Sequence, residues 1–278
     1  MPDHSPRDSR EVPSSADAKR RPRLPGAVVV RPSPDELIDA LAADLFLHSL
    51  ACVRQFGDFH LALGVWPEAE RFFLRLLYDP RFRELPWVRT HLWIVEETVP
   101  ASRFTVLEEA IVSHSDIPES QVHRMSGGDP EELASGYEAA LKETLGWREK
   151  GHDRLDFVLL PVLAGGETHG IELRVPDAPL VAPLDSFAAM SARLLNASRF
   201  VAMLALADGS EDAIKQMDRG PRRSKDAMIP GSRLHAGDLR LLGGELRWYI
   251  DHSVCEDEPP LPPIPLDDAP PGTPGGGA

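Results

Sequence analysis

Asp156-Phe157-Val158-Leu159-Leu160 is the stretch on which the fold turns. One acid is followed by four large apolar residues with no polar alternation. A strand with one wet face alternates, whereas a strand covered on both faces does not, and strands of a parallel sheet under two helical layers are of the second kind. Before it stands a long helical segment, 130–145, with Asp129 as its N-cap and Pro130 at the first helical position. After it come a helix end or turn at 191–197, an apolar strand at 200–206, and Leu246-Arg247-Trp248-Tyr249-Ile250, a strand with alternation. Upstream, Val28-Val29-Val30 is a short β-branched run. Ser33-Pro34-Asp35-Glu36 then supplies a Ser cap, a first-turn proline and first-turn acids, ahead of Leu37, Leu41, Leu45 and Phe46 at helical spacing. Phe59-His60-Leu61-Ala62-Leu63 and His91-Leu92-Trp93-Ile94-Val95 read as strands, 67–77 and 104–112 as helices. Strands alternating with helices predict an α/β fold: a doubly wound, mostly parallel, Rossmann-like sheet in a single domain. Leu61, Trp93, Val158 and Met203 are expected in neighbouring strands, with the ligand cleft at the strands' carboxyl ends.

The chain has 278 residues, 42% hydrophobic and 27% charged, so it can bury a sizeable core. Five of its 27 prolines lie in residues 1–26 and eight in 254–278, which leaves the middle ordinary in proline. The ends hold few large apolar side chains, and such segments do not offset their ordering entropy by burial. The expected division is therefore a disordered arm at 1–26, a folded body at 27–251 and a disordered Pro/Gly/acidic tail at 252–278. The basic run Lys19-Arg20-Arg21-Pro22-Arg23 reads as a solubilising segment or a contact for an acidic partner. Pro259-Pro260-Leu261-Pro262-Pro263 suits a polyproline II helix, as a spacer or a ligand for aromatic grooves. The net charge of −14 argues against a sequence-independent grip on nucleic acid. Two cysteines, Cys52 and Cys255, make neither a disulfide framework nor a cysteine-based zinc site. No apolar run reaches the roughly 20 residues of a membrane span, and no secretory signal is visible, so the expected location is cytoplasmic.

In this order, the segments resemble the 6-phosphogluconolactonase family, which shares its fold with glucosamine-6-phosphate isomerases/deaminases. Phe59 to Gly64 is similar to the strand entering the family's S-G-G-S-T-P phosphate loop. The run from Leu92 to Pro100 is similar to W-G-D-E-R-x-V-P. Ile117-Pro118, Val122-His123-Arg124 follow I-P-x-x-N-V-H-R, and Pro130-Glu131 with Tyr137-Glu138 follow its P-E-x-A-A-x-x-Y-E helix. Asp156 to Leu160 matches the strand before G-x-G-x-D-G-H-T, Leu195-Asn196-Ala197-Ser198-Arg199 the L-N-A-A-R turn, and Gly243-Gly244 through Trp248 and Asp251 the closing G-G-x-L-x-W-x-x-D. The resemblance covers nearly everything between the tails. It implies hydrolysis of a phosphorylated sugar lactone on the oxidative pentose-phosphate route, with no metal and no cofactor. A histidine would act as general base on water, and glycine-loop amides and basic side chains would hold the phosphate.

This chain departs from that pattern at the site. In an ungapped reading the catalytic histidine aligns with Glu167 and the preceding aspartate with Gly165, while Gly166 and Thr168 match. Glu167 is either a substitute base or a solvated carboxylate, and His169 is either a relocated imidazole or a surface histidine. Together they are too few ligands for a metal. The phosphate loop is cut to Gly64-Val65-Trp66-Pro67, with Trp66 expected to face the pocket. Val95 and Glu97 stand for the aspartate and arginine of G-D-E-R, Phe187 for an arginine, and Asp212 for a lysine that Lys215 is placed to replace. The candidate catalytic residues are thus Glu167 and His169, and the candidate substrate-binding residues Gly64, Trp66, Glu96, Gly166, Thr168 and Lys215. Three functions follow: a divergent lactonase, a non-catalytic relative that partners a pentose-phosphate enzyme such as glucose-6-phosphate dehydrogenase, or an enzyme for a smaller or uncharged lactone or ester. Gly64, Glu96 and Gly166 are expected to line one cleft.

Overall fold

The computed structural model describes residues 19–66, 69–146, 154–173, 175, 177–220 and 231–257. In chain order they form β1 (Lys19–Arg20), β2 (Ala27–Arg31), α1 (Pro34–Phe56), β3 (Phe59–Leu63), α2 (Ala69–Tyr78), β4 (Thr90–Ile94), β5 (Glu96–Thr98), α3 (Phe104–Ala110) and β6 (Val122–His123). There follow α4 (Pro130–Leu145), β7 (Phe157–Pro161), β8 (Glu167–Glu172), β9 (Val181–Leu184), β10 (Phe187–Met190), α5 (Ala192–Ala197), β11 (Phe200–Ala205), α6 (Ala207–Arg219), β12 (Ser232–His235), β13 (Glu245–Asp251) and β14 (Glu256–Asp257).

The start signals act as read. Ser33 is extended and its side chain accepts the Glu36 N–H, with Pro34 following. Asp129 does the same for α4 through the Glu132 N–H. Gly57 ends α1 in the left-handed conformation.

The main sheet has seven strands in the order β2-β13-β11-β7-β3-β4-β6, each pairing parallel, with helices on both sides. Leu61, Trp93, Val158 and Met203 sit on β3, β4, β7 and β11, four consecutive strands of that order, as expected. Every residue of β3, β7 and β11 is buried, the physical reason their sequences do not alternate. Asp156, the acid ahead of β7, is buried as well. Its carboxylate accepts the His60 N–H (2.8 Å) and pairs with Arg199 Nε (3.0 Å), pinning the start of β7 to β3 and to the chain entering β11.

Two antiparallel additions were not legible in the sequence. β5, β10 and β9 form a three-stranded sheet, and β8 pairs with β12. The body also reaches beyond the expected limits of 27 and 251. β1 pairs antiparallel with β14, Lys19 opposite Asp257 and Arg20 opposite Glu256. The acidic partner of the basic run is thus, for Arg20, the chain's own Asp218 and Glu256. Residues 1–18 and 258–278, with the polyproline stretch, lie outside the described residues, as do Pro67 and Glu68 at the start of the helix expected at 67–77. Cys52 and Cys255 are buried and form no disulfide. Among the described residues, no helix is long and apolar enough to cross a membrane.

Candidate functional site

The site lies at the carboxyl ends of β3, β4 and β7. Beyond the last residue of β3, the Gly64 N–H donates to Leu159 O of β7 (2.8 Å), and the Val95 N–H donates to Leu63 O (3.0 Å). A Cβ on Gly64 would stand 2.8 Å from both His169 Nδ1 and Pro161 Cδ. The absent side chain is therefore what admits the His169 ring, carried on β8, to the end of β3.

Around His169 three ionisable groups meet. Glu96, 1% exposed, opens β5. Arg233 of β12 grips both its oxygens at 2.7 and 2.9 Å and lies 4.4 Å over the Phe187 ring. Arg103, just before α3, reaches the same carboxylate at 3.4 Å and His169 Nε2 at 3.3 Å. Burial first, then the charges of Arg103 and Arg233, push the His169 imidazole down to about 3, so it is neutral near pH 7. A guanidinium only donates, so Nε2 accepts and the ring proton belongs on Nδ1. That Nδ1 is buried and meets no hydrogen-bond partner among the described residues. Two cations about one carboxylate leave the cluster one net positive charge. Its open edge is the arginines, whose side chains are 33% (Arg103) and 21% (Arg233) exposed.

With this geometry in hand, comparison with known proteins decides the family. The pattern of glucosamine-6-phosphate isomerases/6-phosphogluconolactonase matches residues 32–170, half of the chain. The chain belongs to this family. Over 243 residues it is 27% identical to the "GDH/6PGL endoplasmic bifunctional protein" of Oryctolagus cuniculus, covering 80% of this chain and 29% of that one. The chain thus spans under a third of the length of the bifunctional relatives it matches. Among solved structures it resembles devB protein, with a TM-score of 0.68 at 20% identity over 82% of this chain and 97% of that one. It also resembles 6-phosphogluconolactonase from Thermotoga maritima, with a TM-score of 0.62 at 15% identity over 81% and 99%. At these identities the structural likeness speaks for the fold alone.

Within the 6-phosphogluconolactonase framework, the sequence-predicted residues separate. His169 lies against Gly64 and is joined to Glu96 through Arg103. Gly166 sits in the turn before β8, where its φ of +77° and the nearness of His235 Nε2, which a Cβ would meet at 2.7 Å, both require glycine. Thr168 is buried and donates to Pro161 O (2.8 Å), so its hydroxyl ties β8 to the end of β7. Glu167 is exposed on β8 and Lys215 pairs with Glu211 on α6 (3.7 Å). Trp66, expected to face the pocket, is 6% exposed and packs against Phe72 and Phe73. Glu97 is turned inward as well. It is buried, accepting the Thr98, Arg103 and Phe104 N–H groups and the Ser102 hydroxyl at the start of α3. Sequence reasoning missed Arg103 and Arg233. Arg233 is 137 residues from Glu96, and no local spacing links them. Arg103 directly follows Ser102 beyond the V-P turn, and its place six residues after Glu97 was the available signal.

A second cluster lies at the amino ends of β3 and β4. Asp58, His60 and His91 bring ligand atoms within 4.8 Å of one another. As arranged they do not suit a cation. His60 and His91 are stacked, 4.4 Å between centroids and 16° between planes, so an ion in the plane of one ring lies off the plane of the other. Trp93 Nε1–H donates to His60 Nδ1 (3.1 Å), which puts the His60 proton on Nε2, the nitrogen nearest Asp58. His123 continues the stack against Trp93, 3.6 Å between centroids and 5° between planes. We read the column as packing.

Proposed function

We propose that this protein binds sugar phosphates in carbohydrate metabolism, on the oxidative pentose-phosphate route, as a divergent member of the 6-phosphogluconolactonase family whose lactone hydrolysis is weak or absent. His169 carries the reading. A general base needs a free lone pair within reach of water, and a positioned base contributes roughly 10²–10⁴-fold. His169 is buried and its Nε2 faces Arg103. Glu167, which aligns with the family's histidine, is an exposed carboxylate. Arg103 and Arg233 support binding of an anionic sugar in place of the family's own basic positions. No metal or cofactor enters this reading, and the expected location remains the cytoplasm, although the rabbit and human relatives carry "endoplasmic" in their names.

The test is a lactonase assay on the full chain with 6-phosphogluconolactone, corrected for spontaneous hydrolysis, beside calorimetric binding of 6-phosphogluconate. Wild type should bind and turn over near the spontaneous rate, and Glu167→His with Gly165→Asp should gain turnover by about 10-fold or more. Wild-type turnover comparable to an ordinary family member would refute the impaired-site reading. Its loss on His169→Ala would then make His169 the base.

The names of the bifunctional relatives favour one second reading, a stand-alone partner of glucose-6-phosphate dehydrogenase. Co-elution of the two purified proteins from a sizing column would support it, and independent elution at micromolar concentrations would not.

A further inference from the structure

We propose that Arg103 is an anion-responsive guard on His169: a phosphate oxyanion entering the cleft draws the Arg103 guanidinium off the imidazole and leaves Nε2 open to the bound ligand. The proposal rests on the reading that the cleft takes a sugar phosphate.

The two arginines on Glu96 are held unequally. Arg233 makes paired contacts of 2.7 and 2.9 Å and lies over Phe187. These are the lengths of strong charge-assisted bonds, with a cation–π contact added. Arg103 makes one contact at 3.4 Å and one at 3.3 Å, both longer than that range, and its side chain is a third exposed. Little holds it where it is. If it leaves, Glu96 keeps Arg233, so no buried carboxylate is stranded, the event that makes breaking most buried pairs costly. The Arg103 backbone stays fixed, because its N–H donates to buried Glu97 at the start of α3. The movement is therefore one of side-chain rotamers. A phosphate monoester offers the guanidinium a bidentate partner at about 2.7–2.9 Å, better than either present contact. The groups facing His169 are Arg103, Arg233 and, behind them, Glu96, with Gly64 and Pro161 as the wall. Nδ1 stays buried against that wall, so the ring keeps its proton there and a released Nε2 accepts a hydrogen bond from the ligand, while burial, the first cause of its lowered pKa, keeps the imidazole a poor base. In this scheme Arg103 is a positioning residue.

The experiment uses the full chain labelled with ¹⁵N-histidine, the His169 signals being assigned with His169→Gln. Long-range ¹H–¹⁵N spectra are recorded during titration with inorganic phosphate and, separately, with 6-phosphogluconate, for wild type, Arg103→Gln and Arg103→Lys. Free wild type should show a neutral Nδ1–H ring, and its Nε2 resonance should move saturably with the oxyanion. Arg103→Gln should show the moved resonance without ligand, no further response, and binding about 10–10²-fold weaker for the lost charged bond. Arg103→Lys keeps the charge as a check on folding and should fall between. A response to 6-phosphogluconate but not to free phosphate supports the guard and makes the sugar part of the key. Calorimetric binding of 6-phosphogluconate with Nε2 unmoved, or Arg103→Gln responding as wild type does, would overturn the guard while the sugar-phosphate reading stands. Folded wild type that binds neither oxyanion would sink both.

Discussion

At Gly64 a single methyl group would meet His169 Nδ1 and Pro161 Cδ at 2.8 Å and Leu159 O at 3.1 Å. Two of these neighbours are fixed by β7 and the third is a buried ring, so none can give way freely. Gly64→Ala should cost about 1–3 kcal/mol, the ordinary cost of overpacking, and lower the urea midpoint without changing its slope. An unchanged midpoint would mean that His169 is free to withdraw. Glu97 sets a different kind of constraint. Its carboxylate accepts the Thr98 N–H at 2.9 Å, the Ser102 hydroxyl at 2.8 Å and the Phe104 N–H at 3.0 Å. Glu97→Gln keeps the shape but turns one acceptor into a donor facing donors. We expect a loss of about 1–3 kcal/mol in chemical denaturation. A neutral result would place Glu97 outside the bracing of α3.

At the scale of elements, two strands each hold a histidine neutral. His123 at the end of β6 is lowered to about 3 by burial and by its neighbours His91 and His60. His169 on β8 is lowered to about 3 by burial and two arginines. In the unfolded chain each titrates near 6.5. Between those values the unfolded state binds more protons than the native one, so stability rises with pH. It is complete above about 6.5 and is lost as pH falls toward 3. Each fully buried imidazole adds up to about 1.4 kcal/mol per pH unit in that window. His169 should approach that slope, and partly exposed His123 should contribute less. Urea denaturation at pH 7, 6, 5 and 4 measures it. His169→Gln should flatten the dependence, and a slope equal to that of wild type would show that His169 takes up its proton in the folded state.

Over the whole molecule the two ends of the described chain are tied together. Arg20 pairs with Asp218 and Glu256, Arg219 also reaches Glu256, and the Arg23 N–H donates to Asp218 (2.7 Å). Trp248 Nε1, from the core strand β13, donates to Pro25 O (2.7 Å). A chain beginning at residue 27 loses all of these except the Arg219–Glu256 pair and leaves the Trp248 donor without that acceptor. It should be less stable than one beginning at residue 19 by about 1–3 kcal/mol. For a body of this size that is on the order of 2–10 °C in melting temperature. Equal melting temperatures would show that the 19–26 segment only decorates the body.

Much of the fold was legible because its causes are local. Ser33 and Asp129 cap helices through N–H groups three residues on, and the unbroken apolar runs of β3, β7 and β11 follow directly from burial on both sheet faces. By itself the sequence determined a parallel α/β body and the expectation of an altered site. Only the tertiary structure decided what that site became. It turned Glu97 inward as a brace and buried Trp66. It also brought Arg233 from a strand 137 residues away onto Glu96. Such contacts depend on where β5, β8 and β12 meet in space, and side chains that distant in sequence leave no periodic trace of the encounter.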